Sequence, residues 1–391
     1  MTLKLYNTLS GQLEEFKPIS PSEVRLFVCG PTVYDLDHLG HAKTYTQFDL
    51  IARTLRYLGY NVRYIQNITD IDDKIIVRAR EKNVEPSILA REYEKYHVED
   101  MEKLGNTSVD KYARATDYIS QIISQVERLV AKDMAYKISD GYYFDVSKFS
   151  DYGKLSGRNS LKPGDAISRI DENPEKRNPR DFCLWKFKKE NEPSWPSSLG
   201  EGRPGWHIED TAITEAEFGP QYDMHGGAMD LIFPHHEAEI AQMESISGRK
   251  PFVKYWLHAG FLNIQSEKMS KSLGNFLTIR QVLEQIVSPI SIRYLFLLSH
   301  YRTPANFSFE ALEAAENALG KLSKAVSTWQ VDTAGIVDKA YKAKFVEKLE
   351  NDFNIPQALA LVWTLLKDKE VTPENKKTTI LDFDKVLGLG L

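Results

Sequence analysis

A strand, a tight turn and a helix follow one another near the N-terminus, and this junction constrains the fold most. From Val24 to Val28 apolar side chains recur at every second position, as in a half-buried strand, and Gly30-Pro31 ends that pattern. A helical pattern then runs to Gly59, with apolar residues at Phe48, Ile51, Ala52, Leu55 and Leu58. The helix N-terminus therefore lies just past the strand, where free N–H groups and the helix dipole favour an anion.

A second strand follows this helix and completes a repeating unit of α/β proteins. Val62 to Ile65 alternates again after the turn that begins at Gly59. The unit predicts a parallel sheet, in which ligand groups gather at the carboxyl ends of the strands. Cys29, Thr32 and residues 67–69 should then border one crevice. The predicted fold class is α/β, with a Rossmann-like parallel-sheet domain.

Two short motifs suggest phosphate binding. His38-Leu39-Gly40-His41 places two imidazoles at the predicted helix start, on either side of a glycine that lets a polyphosphate approach the backbone. Lys268-Met269-Ser270-Lys271-Ser272 places two ammonium groups in a loop of small residues, which suits a mobile clamp on phosphates. Taken singly, a histidine pair of this kind is more often a capped surface pair than a catalytic one, and the lysine motif has an alternative as a solvated basic turn.

Length and composition limit the class of protein. A chain of 391 residues exceeds one ordinary core and predicts two or three domains, and 42% hydrophobic and 11% aromatic residues indicate a folded globular protein. The net charge of -5 neither supports nor excludes a nucleic-acid partner. Because the sequence has only two cysteines, no signal peptide and no apolar run of bilayer length, we expect a cytoplasmic protein without disulfides or a membrane segment.

The rest of the chain divides by its residue patterns. We expect residues 1–290 to form the Rossmann-like catalytic domain, with an insertion around 90–200 that includes a stretch rich in Gly, Pro and Ser. The pattern from 86 to 132 is helical apart from a break at Gly105-Asn106, and Asp140-Gly141 predicts a hairpin. Residues 291–310 form a connecting segment. Apolar residues at helical spacing predict a C-terminal helical bundle over 311–391.

Two further patterns each have a functional and a purely structural interpretation. Residues 222–230 form a Gly-rich loop before a helix, which could lie against ribose or phosphate or could be a tight turn without a ligand. His235 and Glu239 are four residues apart, so on a helix they would share a face and could hold one metal ion or form a surface hydrogen bond. On such a helix His236 and Glu237 would point elsewhere.

The two phosphate motifs, one domain length apart, together resemble the two signatures of class I aminoacyl-tRNA synthetases. Longer blocks narrow the resemblance to the cysteinyl-tRNA synthetases and extend it to the end of the chain. These blocks are Phe27 to Tyr34, Asn67 to Lys74, Gly202 to Glu209, Phe233 to Glu237 and Asp352 to Pro356. The resemblance implies ATP-dependent activation of cysteine to cysteinyl-adenylate and its transfer to the 3′ terminal adenosine of tRNA-Cys.

The resemblance also implies roles for particular residues. The implied catalytic groups are His38, His41, Lys268 and Lys271. The implied ATP site consists of these four residues with Gly40, Gly227, Asp230 and Ser270. The implied cysteine pocket consists of Gly30, Thr32, Thr69, Trp206 and His207. Mg²⁺ is expected to accompany ATP.

A zinc site is implied as well, with one departure in this chain. The family binds Zn²⁺ through two cysteines, a histidine and a glutamate. Cys29, His235 and Glu239 match three of these ligands, and the fourth position is Asp210. A carboxylate keeps the charge of the thiolate it replaces but is a harder donor, so we expect one Zn²⁺ per chain, bound less tightly. Because zinc prefers soft sulfur to a hydroxyl, the ion would select cysteine over serine.

The expected partners are tRNA-Cys, ATP and L-cysteine, and we expect a monomer. The bundle over 311–391 is expected to bind the tRNA, without the further C-terminal anticodon domain that we expect in many relatives. Two alternatives have the same motifs. One is a relative that transfers activated cysteine to a small amine, and the other is an inactive paralogue that only binds tRNA.

Replacing Lys271 with alanine should lower the rate of adenylate formation by a large factor, because its charge matters mainly in the transition state. Cysteine binding should change little. Amino-acid-dependent exchange of pyrophosphate into ATP measures the rate, and equilibrium binding of cysteine is the control. A variant that exchanges pyrophosphate at the parental rate would show that Lys271 is not part of the clamp.

Overall fold

A five-stranded parallel sheet forms the centre of the computed structural model, which describes residues 2–158, 173–264, 267–268, 276–329 and 335–391. These ranges contain fourteen strands and twelve α-helices. The strands are β1 (Lys4–Asn7), β2 (Gln12–Glu15), β3 (Val24–Val28), β4 (Val62–Ile68), β5 (Lys111–Arg114), β6 (Ala135–Ile138), β7 (Gly141–Phe144), β8 (Phe182–Phe187), β9 (Gly202–Pro204), β10 (Tyr222–Ala228), β11 (Val253–Ala259), β12 (Leu262–Ile264), β13 (Glu267–Lys268) and β14 (Ala305–Phe307). The helices are α1 (Leu39–Tyr57), α2 (Asp73–Lys82), α3 (Pro86–Lys103), α4 (Ile119–Ala131), α5 (Ile208–Phe218), α6 (Glu237–Ser247), α7 (Ile279–Leu283), α8 (Ile290–Leu297), α9 (Phe309–Thr328), α10 (Lys339–Glu350), α11 (Ile355–Lys367) and α12 (Pro373–Leu387).

The central sheet has the strand order β11-β10-β3-β4-β5, and every neighbouring pair is parallel. This confirms the predicted α/β class with a Rossmann-like parallel sheet. Strand β3 lies in the middle, and helix α1 starts soon after it, as predicted. His38 caps α1, because its Nδ1 accepts a hydrogen bond from the amide of His41 at 3.3 Å. The carboxyl ends of β3, β4 and β10 therefore meet beside the start of α1.

Strand β10 occupies the stretch that the sequence predicted as a Gly-rich loop, so that prediction was wrong. Its glycines serve packing. A Cβ added to Gly226 would lie 2.2 Å from the Phe48 ring of α1, and one added to Gly227 would lie 2.8 Å from the His236 ring. Because these two glycines have no side chain, α1 and His236 can approach the sheet closely. In the sequence, the same pair of glycines resembles a turn.

Strand β5 also departs from the sequence prediction, which gave only helix and a break between residues 86 and 132. It has four residues and pairs in parallel with β4, so it belongs to the central sheet. A strand this short shows too little alternation to be read from the sequence. The antiparallel sheet β6-β7-β8-β9 then forms a separate layer, and the hairpin at Asp140-Gly141 is confirmed.

Helices α9 to α12 form the predicted C-terminal helical bundle. Its core includes the stacked rings of Phe345 and Phe383, whose centroids lie 3.9 Å apart. The boundaries proposed at 290 and 310 and the tRNA-binding role of the bundle stay predictions. Within the described ranges, no helix is both long enough and apolar enough to cross a bilayer.

A buried ion pair connects α1 to the C-terminal helices. Arg293 on α8 is fully buried, and its Nη2 donates to Asp49 Oδ2 of α1 at 2.7 Å. The same guanidinium donates to the carbonyl of Leu387 on α12 at 2.7 Å and to Asn106 Oδ1 at 2.9 Å. Burial opposes ionisation of Asp49, but the charges of Arg293 and Arg53 outweigh it and lower the pKa of this carboxyl.

Replacing Asp49 with alanine should lower the free energy of unfolding by about 3–5 kcal/mol, because it leaves a buried guanidinium without its counter-charge. Denaturant unfolding measures the change. The exposed pair between Lys250 and Asp151, 2.5 Å apart, provides the matched control. Asp151→Ala should cost about 1 kcal/mol or less. Equal losses in the two variants would contradict the special role of the buried pair.

Candidate active site and metal centre

A cavity of about 450 Å³ opens at the carboxyl ends of β3, β4 and β10. It brings together most of the residues that the sequence predicted for the site. Those that line it are Cys29, Gly30, Thr32, His38, Gly40, His41, Thr69, Trp206, Asp210, Asp230 and His235. The site thus lies where a parallel sheet is expected to place it.

The two histidines of the phosphate motif form one wall of this cavity. The rings of His38 and His41 stack with their centroids 3.8 Å apart, beside the first turn of α1. Gly40 lies between them and also lines the cavity. This arrangement joins two imidazoles to the positive end of a helix, which can hold an anion such as a polyphosphate.

His41 is held from behind by residues that the sequence analysis missed. Its Nδ1 lies 2.6 Å from Asp37 Oδ1, and the other oxygen of Asp37 lies 2.5 Å from Nδ1 of His97 on α3. Asp37 is four residues before His41 and could have been noticed on that spacing. His97 is sixty residues away in sequence, and no local pattern indicates this contact.

Tight backbone packing shapes the part of the cavity that was predicted to bind cysteine. The amide of Gly30 donates to Asn67 Oδ1 at 2.5 Å, and a Cβ at Gly30 would lie 1.7 Å from the Asn67 carbonyl oxygen. A glycine is therefore required here, between the ends of β3 and β4. The hydroxyl of Thr69 donates to Glu209 Oε2 at 2.8 Å, which fixes its orientation.

Trp206 lines this end of the cavity, whereas the neighbouring His207 is buried behind it. Trp206 is 40% exposed and stacks on His235 with a centroid distance of 4.3 Å. His207 is buried and does not line the cavity; its Nδ1 lies 2.8 Å from Nδ1 of His235. Burial lowers the pKa of His207, so its ring is neutral. His207 can orient His235, and its direct contact with cysteine stays a prediction.

The predicted metal ligands converge on one another. Cys29 Sγ lies 3.0 Å from Asp210 Oδ2 and 3.9 Å from Glu239 Oε1. His235 Nε2 lies 3.2 Å from Asp210 Oδ2 and 3.4 Å from Glu239 Oε1. All four side chains are buried, and their donor atoms lie within 4.8 Å of one another. Cys29 follows β3, Asp210 is on α5 and Glu239 is on α6, so three elements build the cluster.

The chemistry of this cluster fits a divalent cation. Burial and the charges of Asp210 and Glu239 raise the pKa of the Cys29 thiol, and burial with the charge of Asp210 raises the pKa of Glu239. Asp210 Oδ1 and Glu239 Oε2 are buried and have no hydrogen-bond partner within the described ranges. Three acidic groups gathered away from water are costly unless a cation neutralises them.

A second set of donors shares Cys29 and Glu239 with the first. Nε2 of His236 lies 3.1 Å from Cys29 Sγ, and Nε2 of His225 lies 3.3 Å from it. The prediction that His236 points elsewhere was wrong. His236 lies three residues before Glu239, a spacing that also shares a helix face, and its Nε2 is 4.0 Å from Glu239 Oε1. Recognising β10 as a strand beside β3 would have revealed His225.

The remaining predicted residues are less closely connected to the cavity. Asp230 lines it, whereas Gly227 does not and instead packs against His236. Only the backbone of Lys268 is described, in β13, and Ser270 and Lys271 lie outside the described residues. Their roles in binding phosphates stay predictions.

Comparison with known proteins identifies the class to which this fold and site belong. Residues 15–317 match the family model of the tRNA synthetases class I (C) catalytic domain. Among solved structures, the chain resembles a methionyl-tRNA synthetase of Mycobacterium tuberculosis in complex with methionyl-adenylate. The TM-score is 0.65 at 20% identity, over 94% of this chain and 89% of that one. This likeness concerns the fold.

Curated relatives define the family more narrowly. A cysteine–tRNA ligase of Thermoplasma acidophilum is 51% identical over 90% of this chain and 78% of the relative. One from Actinobacillus pleuropneumoniae is 46% identical over 100% of this chain and 83% of the relative. The chain therefore belongs to the cysteine–tRNA ligase family of class I tRNA synthetases.

Asp210→Cys should tighten Zn²⁺ binding, because a thiolate is a softer donor than a carboxylate. Asp210→Ala should weaken Zn²⁺ binding by more than about 100-fold. Loss of a residue that only contacts a metal ligand typically costs about 10- to 100-fold in affinity, and Asp210 is expected to be a ligand itself. Competition with a chelator, followed by metal analysis, measures the affinity.

The matched control for these variants is His225→Gln, which belongs only to the second donor set. It should leave the affinity within about tenfold of the parental value, as expected for a neighbour of the ligands. If His225→Gln releases the metal and the Asp210 variants do not, the ion is held by Cys29, His225, His236 and Glu239 instead.

Proposed function

We propose that this chain joins L-cysteine to ATP as cysteinyl-adenylate and then transfers the cysteinyl group to the 3′ terminal adenosine of tRNA-Cys. One observation carries the proposal for the site: a cavity lined by a stacked histidine pair at a helix N-terminus also reaches buried metal donors that include a thiol. The histidine pair at a helix N-terminus suits the phosphates of a nucleotide, and the metal donors suit a substrate thiol. Family membership supplies the reaction.

Activation of an amino acid by ATP requires stabilisation of negative charge more than proton transfer. His38 and His41 would contact the phosphates at the start of α1, where the helix dipole adds to their effect. Lys268 and Lys271 would neutralise the charge that develops on the α-phosphate and on pyrophosphate. Gly40, Gly227, Asp230 and Ser270 complete the proposed nucleotide site, and Mg²⁺ would accompany ATP.

Cysteine would occupy the end of the cavity beside Thr69 and Trp206. The Thr69 hydroxyl is oriented by Glu209, and the exposed face of Trp206 can cover the small amino acid. Gly30 and Thr32 border the same space. His207 would act through His235, which it contacts.

The donors that would hold Zn²⁺ are Cys29, Asp210, His235 and Glu239, and their acidity and burial support this role. When bound, the ion supplies a soft Lewis acid that favours a substrate thiolate over the hydroxyl of serine. Because such discrimination depends on one specific bond, it needs no second hydrolytic site. The chain itself contributes the imidazole of His235 and the negative charge that retains the cation.

The proposed tRNA-binding element is the bundle of α9 to α12. It continues from α8, which packs against α1 of the catalytic part. A tRNA that contacts the bundle would therefore reach the cavity from the side of the C-terminal helices. We propose that the acceptor end enters the cavity near the carboxyl ends of β3 and β4.

Purified enzyme should exchange pyrophosphate into ATP with cysteine and not with serine or alanine, and it should then charge tRNA-Cys. Cys29→Ser should lose both bound zinc and most discrimination against serine, because the soft donor at the end of β3 is removed. The matched control is Cys183→Ser, since Cys183 is a buried core thiol on β8 among tyrosines, away from the cavity. It should retain zinc and selectivity if it folds.

Three outcomes would contradict this function. A parental enzyme without exchange would favour the inactive paralogue. Exchange followed by transfer to a small amine but not to tRNA would favour the other alternative. Selective activation of cysteine by protein that contains no zinc would mean that the shape of the pocket chooses the substrate and that Asp210 serves as a hydrogen-bond acceptor.

A further inference from the structure

Asp37 lies between two imidazoles immediately before the phosphate motif. Its Oδ1 is 2.6 Å from Nδ1 of His41, and its Oδ2 is 2.5 Å from Nδ1 of His97. Both atom pairs are close enough to form a hydrogen bond. The three side chains therefore form a row that runs from the cavity wall, at His41, to the interior, at His97.

The carboxyl in the middle of this row is ionised. Burial alone would raise the pKa of Asp37, but the two histidines outweigh burial and hold this pKa well below its ordinary value. A carboxylate only accepts hydrogen bonds, so each imidazole must donate to it. Nδ1 of His41 and Nδ1 of His97 thus both carry a proton. In His41 this leaves Nε2, on the opposite side of the ring, as the nitrogen available to a ligand in the cavity.

Within the described residues, the hydrogen bond to Asp37 is the only one that the His97 side chain makes. It is 2% exposed, and its Nε2 is buried without a hydrogen-bond partner within the described part of the chain. The rings of Tyr45 and Tyr112 pack against it edge-on, at 5.3 and 5.8 Å. A buried nitrogen without a partner costs about 1–3 kcal/mol, so simple packing would favour an apolar residue here. The hydrogen bond to Asp37 is what requires a histidine.

The backbone around Asp37 is fixed as well. Its carbonyl accepts a hydrogen bond from the amide of Ile279 on α7 at 2.9 Å, and the amide of Leu39 donates to Leu277 at 3.1 Å. Arg280 of α7 in turn donates to Asp100 of α3 at 3.1 Å. The helix that carries His97 and the helix that follows the lysine motif therefore hold the same short segment. Small displacements of Asp37 are opposed from both sides.

We propose that Asp37, anchored by His97, is a positioning residue that holds His41 in one orientation and one tautomeric arrangement for contact with ATP phosphates. This inference rests on the proposed activation of an amino acid by ATP. His41 touches the nucleotide, whereas Asp37 and His97 act through it. In other enzymes, too, a carboxylate that accepts a hydrogen bond from one imidazole nitrogen fixes the orientation and tautomer of the ring.

Asp37→Asn is the first test, because an amide has nearly the same shape but can accept from only one of the two imidazoles through its oxygen. We expect kcat of pyrophosphate exchange to fall about 10- to 100-fold, as for loss of comparable supporting partners. KM for cysteine and the zinc content should not change. A parental kcat in the folded variant would overturn the proposal.

A matched pair of variants at His97 separates support from simple packing. In His97→Asn the amide nitrogen can take the place of Nδ1 and donate to Asp37, whereas His97→Leu fills the space without a donor. We expect His97→Leu to lower kcat several-fold more than His97→Asn does, with equal KM for cysteine. Equal kcat values in these two variants would mean that His97 only fills space. This comparison remains decisive if Asp37→Asn does not fold.

The ring nitrogens of His41 provide a readout that does not depend on activity. Two-bond ¹H–¹⁵N spectra of histidine-labelled enzyme should show a protonated Nδ1 for His41, with the signals assigned by their loss in His41→Gln. In Asp37→Asn this signature should change. An unchanged His41 spectrum would overturn the proposal, whereas absent exchange by the parental enzyme with the expected spectrum would reject the proposed function alone.

Discussion

The parallel pairing of β3 with β10 on one side and β4 on the other is the constraint on which the site depends. In this register Val28, the last residue of β3, lies beside Gly226 and Gln66, and β10 and β4 each extend two residues further. A shift of one residue would reverse the face on which each side chain lies. Cys29 would then leave Asp210 and Glu239, and Gly30 would leave the Asn67 carbonyl, against which it packs. The backbone hydrogen bonds that set this register therefore determine which side chains meet in the cavity.

The sequence predicts those parts of the fold that have local patterns. The alternation before Gly30 and the apolar stripe of α1 suffice for the first strand and helix, and the same kind of stripe suffices for the C-terminal bundle. Strands β5 and β10 were not predicted. The first is too short to show a period, and the second contains glycines that pack against rings yet resemble a turn.

The candidate site divides in a similar way. The resemblance of short motifs placed eleven predicted residues around one cavity, although those motifs are far apart in sequence. It did not indicate His225, His236, Asp37 or His97, although the spacings of Asp37 from His41 and of His236 from Glu239 are local signals. Their importance arises from contacts between elements, such as the 3.1 Å approach of His236 to Cys29 and the hydrogen bond from His97 to Asp37. Such contacts follow from tertiary packing, which local patterns do not encode.

The two overlapping donor sets around Cys29 differ in charge, and this difference matters in a buried site. Thiolate, two carboxylates and one imidazole leave a net charge of minus one around a divalent ion, whereas thiolate, one carboxylate and two imidazoles leave none. Asp210 and His235 of the first set line the cavity, whereas His225 and His236 of the second set do not. Access to solvent lowers the cost of the extra charge. Contact with the cavity therefore favours the first donor set for a cation, whereas the smaller net charge favours the second set.

Arg293 couples the unfolding of the C-terminal helices to that of the catalytic part. Its guanidinium is enclosed jointly by Asp49 of α1, Asn106 beyond α3 and the carbonyl of Leu387 at the end of α12. If the C-terminal helices detached, this charge would be exposed to water and α1 would lose the contact at Asp49. The catalytic sheet and the bundle are therefore expected to melt as one cooperative unit. Proteolytic trimming of the last helix would then loosen α1 of the catalytic part as well, although α1 lies far from the cut in sequence.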